Sequence, residues 1–350
     1  MTGKYMAYVG SYSYTGKAKG ITVYDVDVEA GKFIYRCEVE VDNSSYLKSS
    51  QNGKILYSIA DEGVVAFRVL PNGSLARLNS AKIKGMRGCH LSTSKADDYI
   101  FISGFHDGKI TVLHLNEDGS VGDIADGVFH KGLGSVAERS FRPHVSCSRL
   151  TPDERFLMVA DLGIDQIKVY RFDHKDGKIT LVDTIRCELE SAPKYFMFSS
   201  DGRFFYVLYE MKNVIEVYSY KEGERVPIVE KIQTISSTGS KPNQLTAACA
   251  MHFSPDEKHV FCSNAGDNTV SMYDRDDETG MLTLRFCLPI SGDYPKDIAI
   301  FPGGEHLASI NHEGSISFFK IDYEKGLLVM SDRSIKVNEP NCCEIVKIGD

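Results

Sequence analysis

Three side chains from distant stretches of the chain, His144 in RPHVS, Lys194 in SAPKYF and Glu210 in VLYEMK, combine a titratable imidazole, a cation and a carboxylate. Brought together, these types suit metal-independent hydrolysis of a cyclic ester. His144 or Glu210 would take a proton from water, and Lys194 would stabilise the charge that develops on the attacked carbonyl oxygen. His144 is also suited to protonating the departing ring oxygen. A structural ion pair between Lys194 and Glu210 is the alternative reading of those two residues, so what matters is which elements bring the three together.

The chain repeats one pattern seven times: an apolar run, a polar hinge, a second alternating run and a turn. The hinges stand in YMAYVGSYSYTGKAKGITVYDVD, ILYSIADEGVVAFRVL, IFISGFHDGKITVLHLN, FLMVADLGIDQIKVYRF, FFYVLYEMKNVIEVYSY, VFCSNAGDNTVSMYDRD and LASINHEGSISFFKID. Their spacing of roughly 45 to 55 residues is typical of propeller blades. Each repeat alternates apolar and polar residues at period two and is rich in Val, Ile, Tyr and Phe, which predicts antiparallel strands and no helix. The fourth repeat shows the whole unit: PHVSCSRL, the turn TPDE, RFLMVA, the hinge DLGID, QIKVYRF, the turn DHKDGK and ITLVDTI. The predicted fold is all-β, a seven-bladed β-propeller of four-stranded antiparallel blades forming one domain over residues 1–350. The first repeat opens at its second strand, and NEPNCCEIVKI is left over at the far end. Pairing of that C-terminal strand into the first blade is expected to close the ring.

Strand direction then predicts the site. In an antiparallel meander, the start of the first strand and the hinge between the second and third strands lie at the same end of the sheet. With first strands innermost, both sets converge on one mouth of the central channel. This collects His144, Lys194 and Glu210 as catalytic candidates and His90, Arg142, Asp161, Lys296, His312 and Tyr12 as substrate-binding candidates. Arg139 is a further cation expected near this mouth. A concave polar mouth of this kind is the default binding site.

Composition bounds the rest. The chain has 350 residues, is 42% apolar and 25% charged, and carries a net charge of −8. With no block of Lys or Arg, it is not expected to bind nucleic acid or a membrane surface. The nine cysteines are odd in number and irregularly spaced, which predicts free thiols and a cytoplasmic location. No signal peptide or membrane span is apparent. Cys342 and Cys343 have no second pair to complete a zinc site, and no His-x-His occurs, so no metal or other cofactor is expected. The expected partner is a small-molecule substrate, with the protein a monomer or weak dimer.

These stretches also carry a resemblance over nearly the whole chain. YVGSYSYTGKAKGITVYDVD, NSSYL, GCHLS, RPHVSCSRLTPDERFLMVADLGIDQIKVYRF, SAPKYFMFSSDGRFFYVLYE and YPKDIAIFPGGEHLASIN resemble the lactonase family of seven-bladed propellers. That family includes bacterial 6-phosphogluconolactonases and fungal carboxy-cis,cis-muconate cyclases. The resemblance implies hydrolysis of a sugar lactone, 6-phosphogluconolactone first among them, without a cofactor. It assigns family site positions to His144 and Glu210, and sets Lys194 where the family has an arginine, keeping charge but losing the planar fork. Ala265, in SNAGDN, stands where a second arginine is expected, and Ser146 where a second histidine often occurs. A muconate-type cycloisomerase and a non-catalytic ligand- or protein-binding propeller are the alternatives. The missing cation at Ala265 speaks against the former; the absence of Trp, a common interface anchor, speaks against the latter.

Overall fold

The structure is a computed structural model that describes residues 3–135, 141–239 and 242–349; Arg139 lies outside them. The alternating runs form strands grouped into seven four-stranded antiparallel sheets, and the described residues contain no helix. Six sheets are simple meanders in chain order. In blade one the order is Pro340–Ile348, Lys4–Ser11, Gly20–Asp27, Lys32–Glu40, so the C-terminal strand is innermost and antiparallel to Lys4–Ser11, from Lys4 opposite Ile348 to Ser11 opposite Pro340. The expected propeller and its expected closure are both present.

Burial follows radius. The second strands are almost wholly buried, as in Phe156–Asp161 and Phe204–Tyr209, whereas in the outer strand Lys32–Glu40 all but Phe33 are half-buried or exposed. The apolar core divides into seven clusters, each drawing side chains from two neighbouring blades. Blades one and two share Met6, Tyr8, Leu56 and Phe67, while blades seven and one share Val9, Phe33, Phe301 and Ile310. Each sheet therefore buries both faces against neighbours, and the ring has no unpartnered face.

A recurring polar clasp adds direction to this packing. The Tyr8 hydroxyl donates to the Gly73 carbonyl at 2.9 Å, Tyr57 to Gly119 at 3.1 Å and Tyr206 to Gly280 at 2.8 Å. In each case a second-strand tyrosine reaches the outer turn of the next blade. Gly119 has φ +83°, and a Cβ there would meet Ile55 Cγ1 at 2.4 Å. The turn needs glycine both for its left-handed backbone and for close approach to the neighbouring sheet.

Tyr206→Phe should lower stability by about 1–3 kcal/mol, because it leaves a buried carbonyl without its donor. Tyr35→Phe, at a residue 62% exposed, should change it by less than about 0.5 kcal/mol. Urea unfolding at equal slope measures both.

Candidate active site

The mouth at the hinge end opens into a cavity of 570 Å³. Its wall is set by a shared irregularity of the first strands. In blades four to seven the ladder between first and second strands skips one residue: Ser146, Lys194, Cys249 and Lys296. In blade one the C-terminal strand skips Asn341 in the same way. All five bulged residues line the cavity. A bulge adds a residue without adding a ladder position and re-aims its side chain, which turns Lys194 and Lys296 into the mouth.

His144 enters just ahead of the first strand of blade four. Its backbone N–H donates to Asp161 Oδ1 at 2.8 Å, and its Nδ1, facing a carbonyl that can only accept, donates to Phe105 O at 2.7 Å. The ring lies on that of Phe105, with centroids 4.3 Å apart. Gly163 makes room: a Cβ there would lie 1.9 Å from Arg142 O and 2.7 Å from His144 Cδ2. With Nδ1 occupied, Nε2 is the nitrogen left for proton exchange.

Lys194 forms an ion pair with Glu210, the hinge residue just past the adjacent strand Phe204–Tyr209 of the same blade. Burial opposes the ammonium charge, but the Glu210 carboxylate outweighs it and holds the lysine pKa above its ordinary value. Lys194 is therefore a fixed cation, and Glu210 is the group that holds it. Around them, Arg87 lies 5.1 Å from the centre of the Tyr12 ring and 3.0 Å from Asp61 Oδ1, while Lys296 sits 5.3 Å from the centre of Tyr294.

Of the nine predicted site residues, Tyr12, His90, Arg142, His144, Lys194, Glu210 and Lys296 line this cavity. His90 does so from below and is only 2% exposed, with the Tyr46 ring 4.7 Å away. Two predictions are corrected. Asp161 is fully buried: Oδ1 accepts from the backbone of His144 and Gly163, and Oδ2 lies 2.6 Å from His130 Nδ1. It positions His144 and cannot reach a ligand. His312 stands behind the wall, its ring 5.9 Å from Tyr12 and 6.2 Å from Tyr294, with Nδ1 3.3 Å from Pro340 O. The cavity-lining rings of Tyr12 and Tyr294 pack against it.

Ala265 is also off the wall, fully buried, while a Cβ on the adjacent Gly266 would meet Leu245 O at 2.5 Å. The segment leading into blade six covers that hinge. Reading strand starts and hinges alone missed Arg87, Tyr195, His252 and Asp297, which line the cavity from the approach to blade three and from positions deeper along the first strands. The available signal was a polar or aromatic residue inside an inner strand, as in AMHF and PKDI.

Comparison with known proteins agrees with this architecture. The family described as lactonase, 7-bladed beta-propeller, matches residues 6–345. A Bacillus subtilis 6-phosphogluconolactonase is 27% identical over 350 residues, covering 98% of this chain and 99% of that protein. A solved Bacteroides fragilis protein, named as a candidate 6-phosphogluconolactonase, is 30% identical with a TM-score of 0.89, covering 99% of this chain and 98% of that one. The periplasmic gluconolactonase PpgL of Pseudomonas aeruginosa, 24% identical, shares the fold at a TM-score of 0.90 over 99% of this chain and 100% of its own.

The cavity floor makes stability pH-dependent. Burial, reinforced by the Arg149 and Lys48 cations, holds His90 well below its usual 6.5. The folded chain leaves it neutral while the unfolded chain takes up a proton, so stability should fall as pH drops below 6.5. His90→Gln should remove up to about 1.4 kcal/mol per pH unit of that slope, measured by denaturant unfolding across the acid range.

Proposed function

We propose that this chain, which belongs to the lactonase family of seven-bladed β-propellers, hydrolyses a sugar lactone, converting 6-phosphogluconolactone to 6-phosphogluconate. The observation that carries this reading is the Lys194–Glu210 ion pair in the same mouth as His144. The charge of the mouth supports an anionic substrate. Its charged lining is Arg87, Arg142, Lys194 and Lys296 against Glu210 and Asp297, an excess of two positive charges in a chain whose net charge is −8. Such a field raises the local concentration of a phosphorylated ligand. The Bacillus subtilis relative's name carries the same substrate.

In this reading His144 Nε2 takes a proton from water, whose oxygen attacks the lactone carbonyl. The carbonyl electron pair moves onto oxygen, where the Lys194 ammonium stabilises it. Glu210 keeps the ammonium charged and aimed, which takes it out of competition as the base. Substrate meets the protein alone, in a monomer or weak dimer. Nine free cysteines support a reducing cytoplasm, and no helix of the described residues is long and apolar enough to cross a membrane.

Purified protein should accelerate opening of 6-phosphogluconolactone above the spontaneous rate, with a higher kcat/KM than for the unphosphorylated lactone. His144→Ala should lower kcat by about 10²–10⁴-fold, and Lys194→Met by about 10²–10³-fold. Absence of acceleration across phosphorylated and plain aldonolactones would refute the reading.

A further inference from the structure

A second imidazole, backed by a carboxylate, stands on the same cavity. His252 lies in the first strand of blade six, Ala247–Phe253, and Asp297 in the first strand of blade seven, Pro295–Ile300; both line the cavity. His252 Nε2 lies 2.8 Å from Asp297 Oδ1, across the interface between the two blades. The carboxylate is itself fixed: Oδ2 accepts from the backbone of Cys343 at 2.9 Å, and Oδ1 also accepts from its neighbour Ile298 at 2.9 Å. A carboxylate can only accept from this imidazole, so Nε2 carries a proton and Nδ1 is the remaining nitrogen. Nδ1 has no hydrogen-bond partner among the described residues. The His252 side chain is 33% exposed and that of Asp297 12%, so the imidazole meets solvent while its partner stays nearly covered.

Opening a lactone needs two proton transfers, one from the attacking water and one to the departing ring oxygen. The reading above gives His144 the first. Glu210 is held by Lys194 and Asp161 is buried, which leaves the second to His144, returning the proton it took, or to another imidazole on the cavity. We propose that His252, oriented by Asp297, is a second catalytic residue and donates a proton from Nδ1 to the ring oxygen. This rests on the lactone-opening reading.

The steps balance. Water loses a proton to His144 as its oxygen bonds to the carbonyl carbon, and the electron pair returns from the oxyanion as the bond from that carbon to the ring oxygen breaks. The ring oxygen takes the proton from His252 and becomes a hydroxyl. The acid leaves as carboxylate, His144 releases its proton to solvent, and His252 regains one. Net, one water is consumed and one proton released. Asp297 acts as the positioning residue, as the carboxylate does in a catalytic triad, by fixing the tautomer and supporting the imidazolium. Among the described residues the Tyr195 ring of blade five also faces the His252 ring, with centroids 6.3 Å apart, and is itself hydrogen-bonded to Arg149.

The test is kcat and KM for 6-phosphogluconolactone across pH for wild type, His252→Gln and Asp297→Asn, with thermal unfolding to verify folding. His252→Gln should lower kcat by about 10²-fold, leave KM within about threefold, and abolish the fall of kcat on the alkaline side. Asp297→Asn should lower kcat about tenfold and leave KM within about threefold. In the wild-type protein, saturating 6-phosphogluconate should shift the His252 ring proton resonances, a readout that needs no variant to fold. A folded His252→Gln enzyme with kcat within threefold of wild type, an unchanged alkaline limb, or a His252 resonance indifferent to product would each overturn the proposal while leaving lactone opening intact. A wild-type protein inactive on every lactone would instead bring down the underlying reading, and this one with it.

Discussion

Seven strands running side by side around a narrow axis set the constraint on which this molecule depends. Each first strand must keep its ladder to the second strand while presenting side chains inward at the channel mouth, and a regular strand turns only alternate residues to one face. The bulges at Ser146, Lys194, Cys249, Lys296 and Asn341 meet both demands. They admit one extra residue per strand at the same height, so one layer of the ring becomes a wall of bulged residues. The site owes its cations to this backbone irregularity as much as to side-chain type, since Lys194 and Lys296 are two of the five.

The hinges serve that wall from outside. Asp161 accepts the His144 and Gly163 amides, Asp165 accepts those of Glu190 and Ala192 at 2.8 Å each, and Asp107 accepts that of Met86 at 2.9 Å. In each case a hinge carboxylate ties down the segment leading into a first strand, and the amides of His144 and Ala192, which are buried, gain a partner there. These acids are consequently spent on backbone, and the mouth keeps an excess of positive charge within an acidic protein. Electrostatics and loop order come from the same carboxylates.

The seven core clusters and the tyrosine clasps transmit this order around the ring. Because every blade buries both faces against neighbours, the relative placement of residues from different blades is fixed by dense packing. His252 and Asp297 meet across one such interface, as do His144 and the Phe105 carbonyl across another. Rigidity of this kind lets a site built on strand starts hold its geometry.

Much of this was legible in the residues. Period-two alternation repeated seven times determined the blades, and the unpaired NEPNCCEIVKI strand determined how the ring closes, because both follow from local patterning and the need to satisfy strand edges. Antiparallel direction alone sufficed to gather His144, Lys194 and Glu210. What it lacked was radius and register. Asp161 and Glu210 occupy similar hinges, yet the first turns its carboxylate onto backbone amides and the second turns it to a lysine, a difference set by how adjoining loops pack. Ala265 reads as a blank hinge at the mouth but is covered by the segment entering blade six. His252 and Asp297 lie inside strands whose pattern marks them only as interior, and only their juxtaposition between two blades makes them a pair. The sequence determined which strands exist and which end of each faces the mouth, because those are properties of a single repeat. Which side chains reach the cavity was decided by tertiary structure, because that depends on bulges and contacts between repeats that no single repeat contains.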